Sequence, residues 1–507
     1  VSVNRIHQHT VLTMSAKTKK SRQGLALCNQ YQLSSRALIN LFNQRLDPEI
    51  DYLVSQPWFR ALHTQIIPQL QRETRIDNMT THTNPAVLNI LEYLLKFLTA
   101  TTTTEHGIGT RVSELVKLLT RLSSHGYRVL TRVDRYQLRR LLEIDAEGSK
   151  LKQAFFEYLR KQPDLITPES ELLLNPFTSI INLAEIYRQV RSHTVVNWSC
   201  GRTIEGLPDA LEFYSDSPSG PDRSEVLEYC QRLALFNLFL KSRNLPNLVT
   251  IYLIDYKKEF MQVKSRPDLI FTSSEINTGV CDGVSIIISR REESLKTLIH
   301  ELVHFHDLDF KHEVPRLDAV VQQVTANNVS TSQTSAGGDA KFNLGEAHTE
   351  CLASIIHLLI RSSESATEES IIGEYFAELF KKQVIYTLAK QAAIMRVSQC
   401  SDLSVNSPQC NIRESTNLFS YFFVKSYLYF NLHAWLEGCC ARDLPKFQHN
   451  QHSAFTNLAQ ILTTGSTDPL IKALVRDLAA NSGNGKYTQK QQAKSQNGNS
   501  LRMVCAD

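Results

Sequence analysis

His300, Glu301 and His304 form a His-Glu-x-x-His arrangement inside residues 294–308, where apolar side chains fall at 295, 298, 299, 302 and 303. That spacing predicts a helix. Four positions apart, the two imidazoles share one helical face and can reach a single ion. Glu301 projects about 100° away around the axis. There it is free of a ligand role and within reach of a water polarised by the ion, as a general base would be. The chemistry this pattern permits is metal-assisted hydrolysis.

A catalytic metal needs a third protein ligand and an open position. Downstream, Glu346, Glu350, Ala353 and His357 fall on one helical stripe, with Ile355, Ile356, Leu358 and Leu359 supplying apolar faces. Carboxylates on so apolar a helix are costly to bury unless a cation or a histidine receives them. Glu346 is therefore the expected third ligand, and Glu350 is expected behind a ligand histidine, hydrogen-bonded to it. Asp307, Asp309, His306 and His312 stand nearby as alternative ligands. Of these, His306 lies about 200° round the helix from His304, and Asp307 reaches the ion only if the helix end unwinds. A donor for a tetrahedral oxyanion is sought among Tyr421, Tyr427, Tyr429 and His433, or at His357 on the ligand helix.

The residues His300, Glu301 and His304, followed by Glu346 and Glu350, resemble the gluzincins, thermolysin and its relatives. In that group a downstream helix offers a glutamate ligand and an acidic residue four positions later. The resemblance implies a zincin-like fold, Zn2+ held by His300, His304 and Glu346, and Glu350 facing the first histidine. It also implies Glu301 as general base in the hydrolysis of a peptide or protein substrate. It covers about 65 of the 507 residues. Gly345 stands where those relatives often have Asn, and the interval of 41 residues from His304 to Glu346 is longer than usual. The Ser-, Thr-, Gly- and Asn-rich insert 326–343 accounts for the extra length. HExxHxxGxxH, the metzincin pattern, fails at Asp307 and Phe310. Residues 275–310 also resemble a group of uncharacterised metallopeptidases encoded by large DNA viruses, which implies a viral protein.

Positioning these groups requires strands leading into the first helix. The β-branched run 248–254 and the run 284–289 predict strands. Asp282 and Gly283 make a turn pair before the second, with a short arm at 276–280. Ser294 beside Glu292 and Glu293 is the expected helix cap. The strand 284–289 is the expected edge for pairing with an extended substrate. Residues 26–240 show mostly helical spacing, as at 87–98 and 112–122, with Thr101–Thr104 between those two helices. The expected class is α+β, mostly helical, with a small mixed sheet. Its domains are a flexible lead-in 1–25, a helical N-terminal domain 26–240, a zincin-like active-site domain 241–375, a helical subdomain 376–480 and a disordered tail 481–507.

Composition bounds the alternatives. Lys plus Arg (55) nearly balances Asp plus Glu (51), and the net charge is +4. Such a balance gives no field to attract nucleic acid. The one basic cluster, Lys17 to Arg22, reads as a solvated tail. The most apolar stretch, 418–436, carries Lys425, Asn431 and His433, so no transmembrane segment is expected. Ten cysteines without a CxxC pair argue against a cysteine-ligated zinc site and read as buried thiols. A Cys400–Cys410 disulfide is the one pairing considered. With no signal peptide seen, the expected location is cytoplasmic or virion-associated, with translation starting at Val1 or Met14. The competing function is a catalytically inactive zincin-fold structural or virion protein, which would have no need of Glu301.

Overall fold

Two interleaved sets of side chains organise the protein, one on each face of a six-stranded sheet. The computed structural model describes residues 31–83, 89–100, 108–124, 130–143, 146–162, 174, 178–201, 210–241, 244–255, 270–271, 276–309, 344–366, 371–398, 413–414, 418, 420–441, 446 and 452–484. The strands are β1 (Thr74–Thr83), β2 (Ser192–Cys200), β3 (Ala210–Ser215), β4 (Leu248–Leu253), β5 (Ile270–Phe271), β6 (Gly279–Cys281), β7 (Ser285–Ile288) and β8 (Arg413–Glu414). Six of them form a mixed sheet in the order β1-β2-β3-β4-β7-β6, while β5 and β8 pair separately. β3, β4 and β7 run parallel, and β1, β2 and β6 join antiparallel.

Alternation along each strand sorts residues between the faces. Val249, Ile251, Leu253, Ile286 and Ile288 point into one apolar cluster, and Tyr252, Ile254 and Ile287 into the other. The second cluster is closed by α1 (Ile90–Ala100), α2 (Ile108–Ser123), α3 (Arg132–Leu142), α4 (Ala146–Arg160) and α5 (Ile180–Gln189). α1 shows why it folds as it does: Ile90, Leu91, Leu94, Phe97 and Leu98 make one buried stripe. The first, larger cluster includes α6 (Arg223–Leu240), α7 (Ser294–Phe305), α8 (Leu344–Ser365) and α9 (Ile372–Val397). On this side α7 and α8 pack together, and α7 also lies against β6 and β7.

The chain is thus α+β with a small mixed sheet, whose strands lie on both sides of one expected boundary. Residues 26–240 contain three of the six strands, so the sheet runs across the boundary at 240/241. β2 alternates inward and outward, but its inward positions include Ser192 and Thr194, and such polar residues carry no apolar signal. The boundary at 375/376 falls inside α9. The edge assignment is corrected: β7 lies between β4 and β6, and β6 is the outer strand. A hairpin does this, since Gly283 takes φ 89° and the Asp282 carboxylate accepts from the backbone N–H groups of Val284 and Ser285.

No described helix is long and apolar enough to cross a membrane. Cys200, Cys230, Cys281, Cys351, Cys439 and Cys440 are free thiols. The Cys400–Cys410 pair, the cluster Lys17–Arg22, Thr101–Thr104, His312 and the insert 326–343 lie outside the described residues, as do 1–30 and 485–507.

Candidate metal centre

α7 begins without a side-chain cap. Glu293 occupies the cap position in the left-handed region (φ 60°), and Ser294 is already helical. The Ser294 hydroxyl instead donates to the Arg291 carbonyl at 2.9 Å and shares a 2.5 Å hydrogen bond with Tyr229. Ser294 is therefore an anchor to α6 and not the cap expected from the sequence. Leu298, Ile299, Leu302 and Val303 are fully buried, which fixes the rotation of α7 and directs His300 and His304 toward α8.

The far end of α7 closes in a Schellman turn. Asp307 takes φ 50°, its N–H donates to the His304 carbonyl, and the Leu308 N–H donates to the Val303 carbonyl. This reversal folds Asp309 back beneath the helix, where its carboxylate Oδ2 meets His304 Nδ1.

α8 brings the carboxylates. His300 Nε2 lies 3.2 Å from Glu346 Oε2, His304 Nε2 lies 3.6 Å from Glu346 Oε1, and the two Nε2 atoms are 3.1 Å apart. One ligand atom from each of these three residues lies within 4.8 Å of the other two, a group that could hold a metal ion. One turn further on, Glu350 Oε2 lies 3.1 Å from His300 Nδ1. Both imidazoles thus have Nδ1 against a carboxylate. With Nδ1 donating to its carboxylate in each ring, two Nε2 atoms and a Glu346 carboxylate oxygen converge on one point. Such a set could hold a metal ion, one that takes nitrogen and oxygen ligands.

The charges respond accordingly. Burial opposes charge on Glu346, but His304 and His300 hold its carboxyl well below the usual carboxylate range. Burial opposes protonation of His304 too, yet Glu346 and Asp309 raise the imidazole well above the ordinary histidine range. Burial, together with the charge of Glu346, pushes the Glu301 carboxyl upward against the pull of His300, His304 and Lys296. Glu301 sits against β6, where a Cβ on Gly279 would come within 2.4 Å of its Oε1 and 2.7 Å of Thr297 Cγ2. The bare backbone of Gly279 is what lets this carboxylate fit beside the outer strand.

Glu350 itself is fully buried and meets two buried lysines. Lys296 Nζ donates to its Oε2 at 2.6 Å and Lys425 Nζ to its Oε1 at 3.1 Å. Burial pulls the Lys425 ammonium below the usual lysine range, against the attraction of Glu350. Lys425 starts α10 (Lys425–Tyr429), which follows directly on a π-helix, Ser420–Val424. From that π-helix the Tyr421 hydroxyl donates to Glu346 Oε2 at 2.9 Å. Two residues four apart on one element thus meet two residues four apart on α8.

Of the other sequence candidates, His306 stacks parallel on Phe236 at 5.6 Å, Asp307 forms the exposed turn, and Asp309 stands behind His304. Among the oxyanion candidates the structure brings Tyr421 to the site and places the others elsewhere. Tyr427 packs on Gly465, Tyr429 lies edge-on to Phe380, and His433 stacks on Tyr52 and pairs with Glu437. His357 is buried further along α8. The turn at Asn431 that separates α10 from the helix Leu432–Cys439 sends His433 to the surface.

Lys296, Lys425 and Gly279 are site residues that sequence reasoning missed. Lys296 had a signal, since it precedes His300 by one turn on the same stripe. Compared with protein families, curated proteins and solved structures, the chain matches none.

Proposed function

We propose that the protein is a zinc-dependent peptidase with a gluzincin-like, zincin-type centre. The observation that carries this reading is the convergence of His300, His304 and Glu346 ligand atoms, with the Glu301 carboxyl close enough to feel the charge of all three. Zinc held by the first three would supply Lewis acidity toward a peptide carbonyl and toward water. Glu301 takes a proton from the attacking water and delivers it to the leaving amine, so that water and a peptide bond become an acid and an amine. The Tyr421 hydroxyl, which reaches Glu346 Oε2, is the O–H donor assigned to the developing oxyanion. An extended substrate pairs with the outer side of β6, where no further described strand lies.

The test is metal analysis of the purified protein together with Glu301→Gln, assayed on a mixed peptide library. About one zinc per chain is expected, removable by chelators. Glu301→Gln should keep that zinc and lose about 10²–10⁴-fold in turnover. A folded protein that holds no zinc and cannot be loaded overturns the reading. Zinc-loaded protein that cleaves no peptide favours the inactive structural alternative, and zinc loss in Glu301→Gln would make Glu301 a ligand.

A further inference from the structure

The carboxylate behind His300 is held in an unusual way. A carboxylate offers about four acceptor positions, and Glu350 uses them on Lys296 Nζ (2.6 Å), His300 Nδ1 (3.1 Å), Lys425 Nζ (3.1 Å) and Ser354 Oγ (3.4 Å). By contrast, Asp309, which backs His304, is bonded through Oδ2 while its Oδ1 is buried with no hydrogen-bond partner among the described residues. The two ligand histidines are therefore backed differently. One carboxylate comes from a turn directly after its own helix, and the other is clamped by two ammonium groups.

The lysines have distinct origins. Lys296 lies on α7 one turn before His300, so the helix that carries the ligand also fixes this partner. Lys425 comes from 75 residues away in sequence and is fully buried. Its ammonium lies 5.9 Å from the ring centroids of both Phe422 and Tyr429, so an apolar side chain of similar length would find a ready environment. A buried ion is weak evidence for a stabilising role, and without Lys425 the Glu350 carboxylate would still be paired with Lys296 at 2.6 Å. The geometry of Lys425 does have one evident use: it holds Glu350 Oε1, which leaves Oε2 aimed at His300 Nδ1.

We propose that Lys425 is a positioning residue of the metal centre, fixing Glu350 against His300, with Lys296 assisting from the ligand helix. The inference rests on the reading of His300 as a metal ligand. Groups behind a ligand histidine set its orientation, and their loss weakens metal binding by about 10–100-fold.

The experiment uses the full chain, with zinc affinity measured by chelator competition and the ligand field read from the visible spectrum of the Co2+-loaded protein. Lys425→Met should lose about 10–100-fold in zinc affinity and shift the Co2+ bands, while the thermal transition of the metal-free protein stays near that of the wild type. The spectral shift is a readout that a purely structural role would not move. Should Lys425→Met not fold, Lys425→Gln, whose amide stops short of Oε1, is expected to change affinity and spectrum in the same direction. Wild-type affinity and an unshifted spectrum in whichever variant folds overturn the proposal. Failure of both to fold overturns it too, since Lys425 would then serve the core and not the site. Absence of zinc and Co2+ binding in the unsubstituted protein is a separate outcome that removes the metal centre itself.

Discussion

The two faces of the sheet bury polar groups in different ways. On the face covered by α1 to α5, buried polar residues cap helix ends or meet arginines at separate places. Thr131 and Asp134 form a reciprocal cap on α3, Ser179 caps α5 while bonding Glu143, and Glu185 pairs with Arg188 one turn along and with Arg135 of α3. On the face of α7 and α8 they reach between elements 46 to 75 residues apart and meet at one place: His300 on Glu346, Lys296 on Glu350, Lys425 on Glu350 and Tyr421 on Glu346. Burial of polar groups therefore does not mark a site by itself. Convergence of groups from separate elements on one point is what singles out the candidate site.

The largest effect that would sharpen this contrast is expected from Glu350→Ala. It strands Lys296 and Lys425 in the interior and should cost about 3–5 kcal/mol in chemical unfolding, with weakened zinc binding. A cost under about 1 kcal/mol, in the range of an exposed pair, would mean that the lysines are solvated and that the two faces do not differ. Next, Leu94→Ala on the opposite face should cost about 3 kcal/mol by leaving a cavity, yet leave zinc affinity unchanged. Combined with Glu350→Ala it should be additive within about 0.5 kcal/mol. Coupling beyond that would join the two faces into one unit.

A smaller effect lies in the acid range. Although burial opposes it, Lys296, Lys425 and His300 hold the Glu350 carboxyl well below its ordinary 4.5. The unfolded chain then takes up a proton at a pH where the folded chain does not. The resulting stability is present above 4.5 and lost as pH falls toward the folded value, with a slope of about 1.4 kcal/mol per pH unit. In chelator-treated protein the difference between wild type and Glu350→Gln should show that slope. A pH-independent difference would mean that the carboxyl is not held ionised.

Much of the site was legible from spacing. His300 and His304 one turn apart, and Glu346 and Glu350 one turn apart on an apolar helix, are relations internal to single helices, and helical geometry fixes those. The runs that became β4 and β7 were legible because β-branched and aromatic residues are concentrated there. What was not legible depends on neighbours in space. β1 carries Thr, Asn and His where a strand signal would need large apolar residues, so its pairing with β2 leaves little trace. Asp309 meets His304 only because Asp307 adopts a left-handed turn, a conformation more often given to Gly. Lys425 is the lone charged residue in the aromatic stretch 418–436, where it argues against a membrane span. A single charge amid so many apolar residues is also a request for a buried partner.

The π-helix Ser420–Val424 has a further consequence, for changes in chain length. A π turn takes up one residue more than an α turn, so it behaves as an insertion retained within a helix. Surface loops absorb such length changes freely, but here the extra residue sets the angle between Tyr421 and Lys425. Deleting one residue would rotate one against the other by about 100°, taking the hydroxyl from Glu346 or the ammonium from Glu350. Between Tyr421 and Lys425 the number of residues is therefore more constrained than the identity of the intervening ones, and descendants of this sequence can exchange those side chains more readily than they can gain or lose a position.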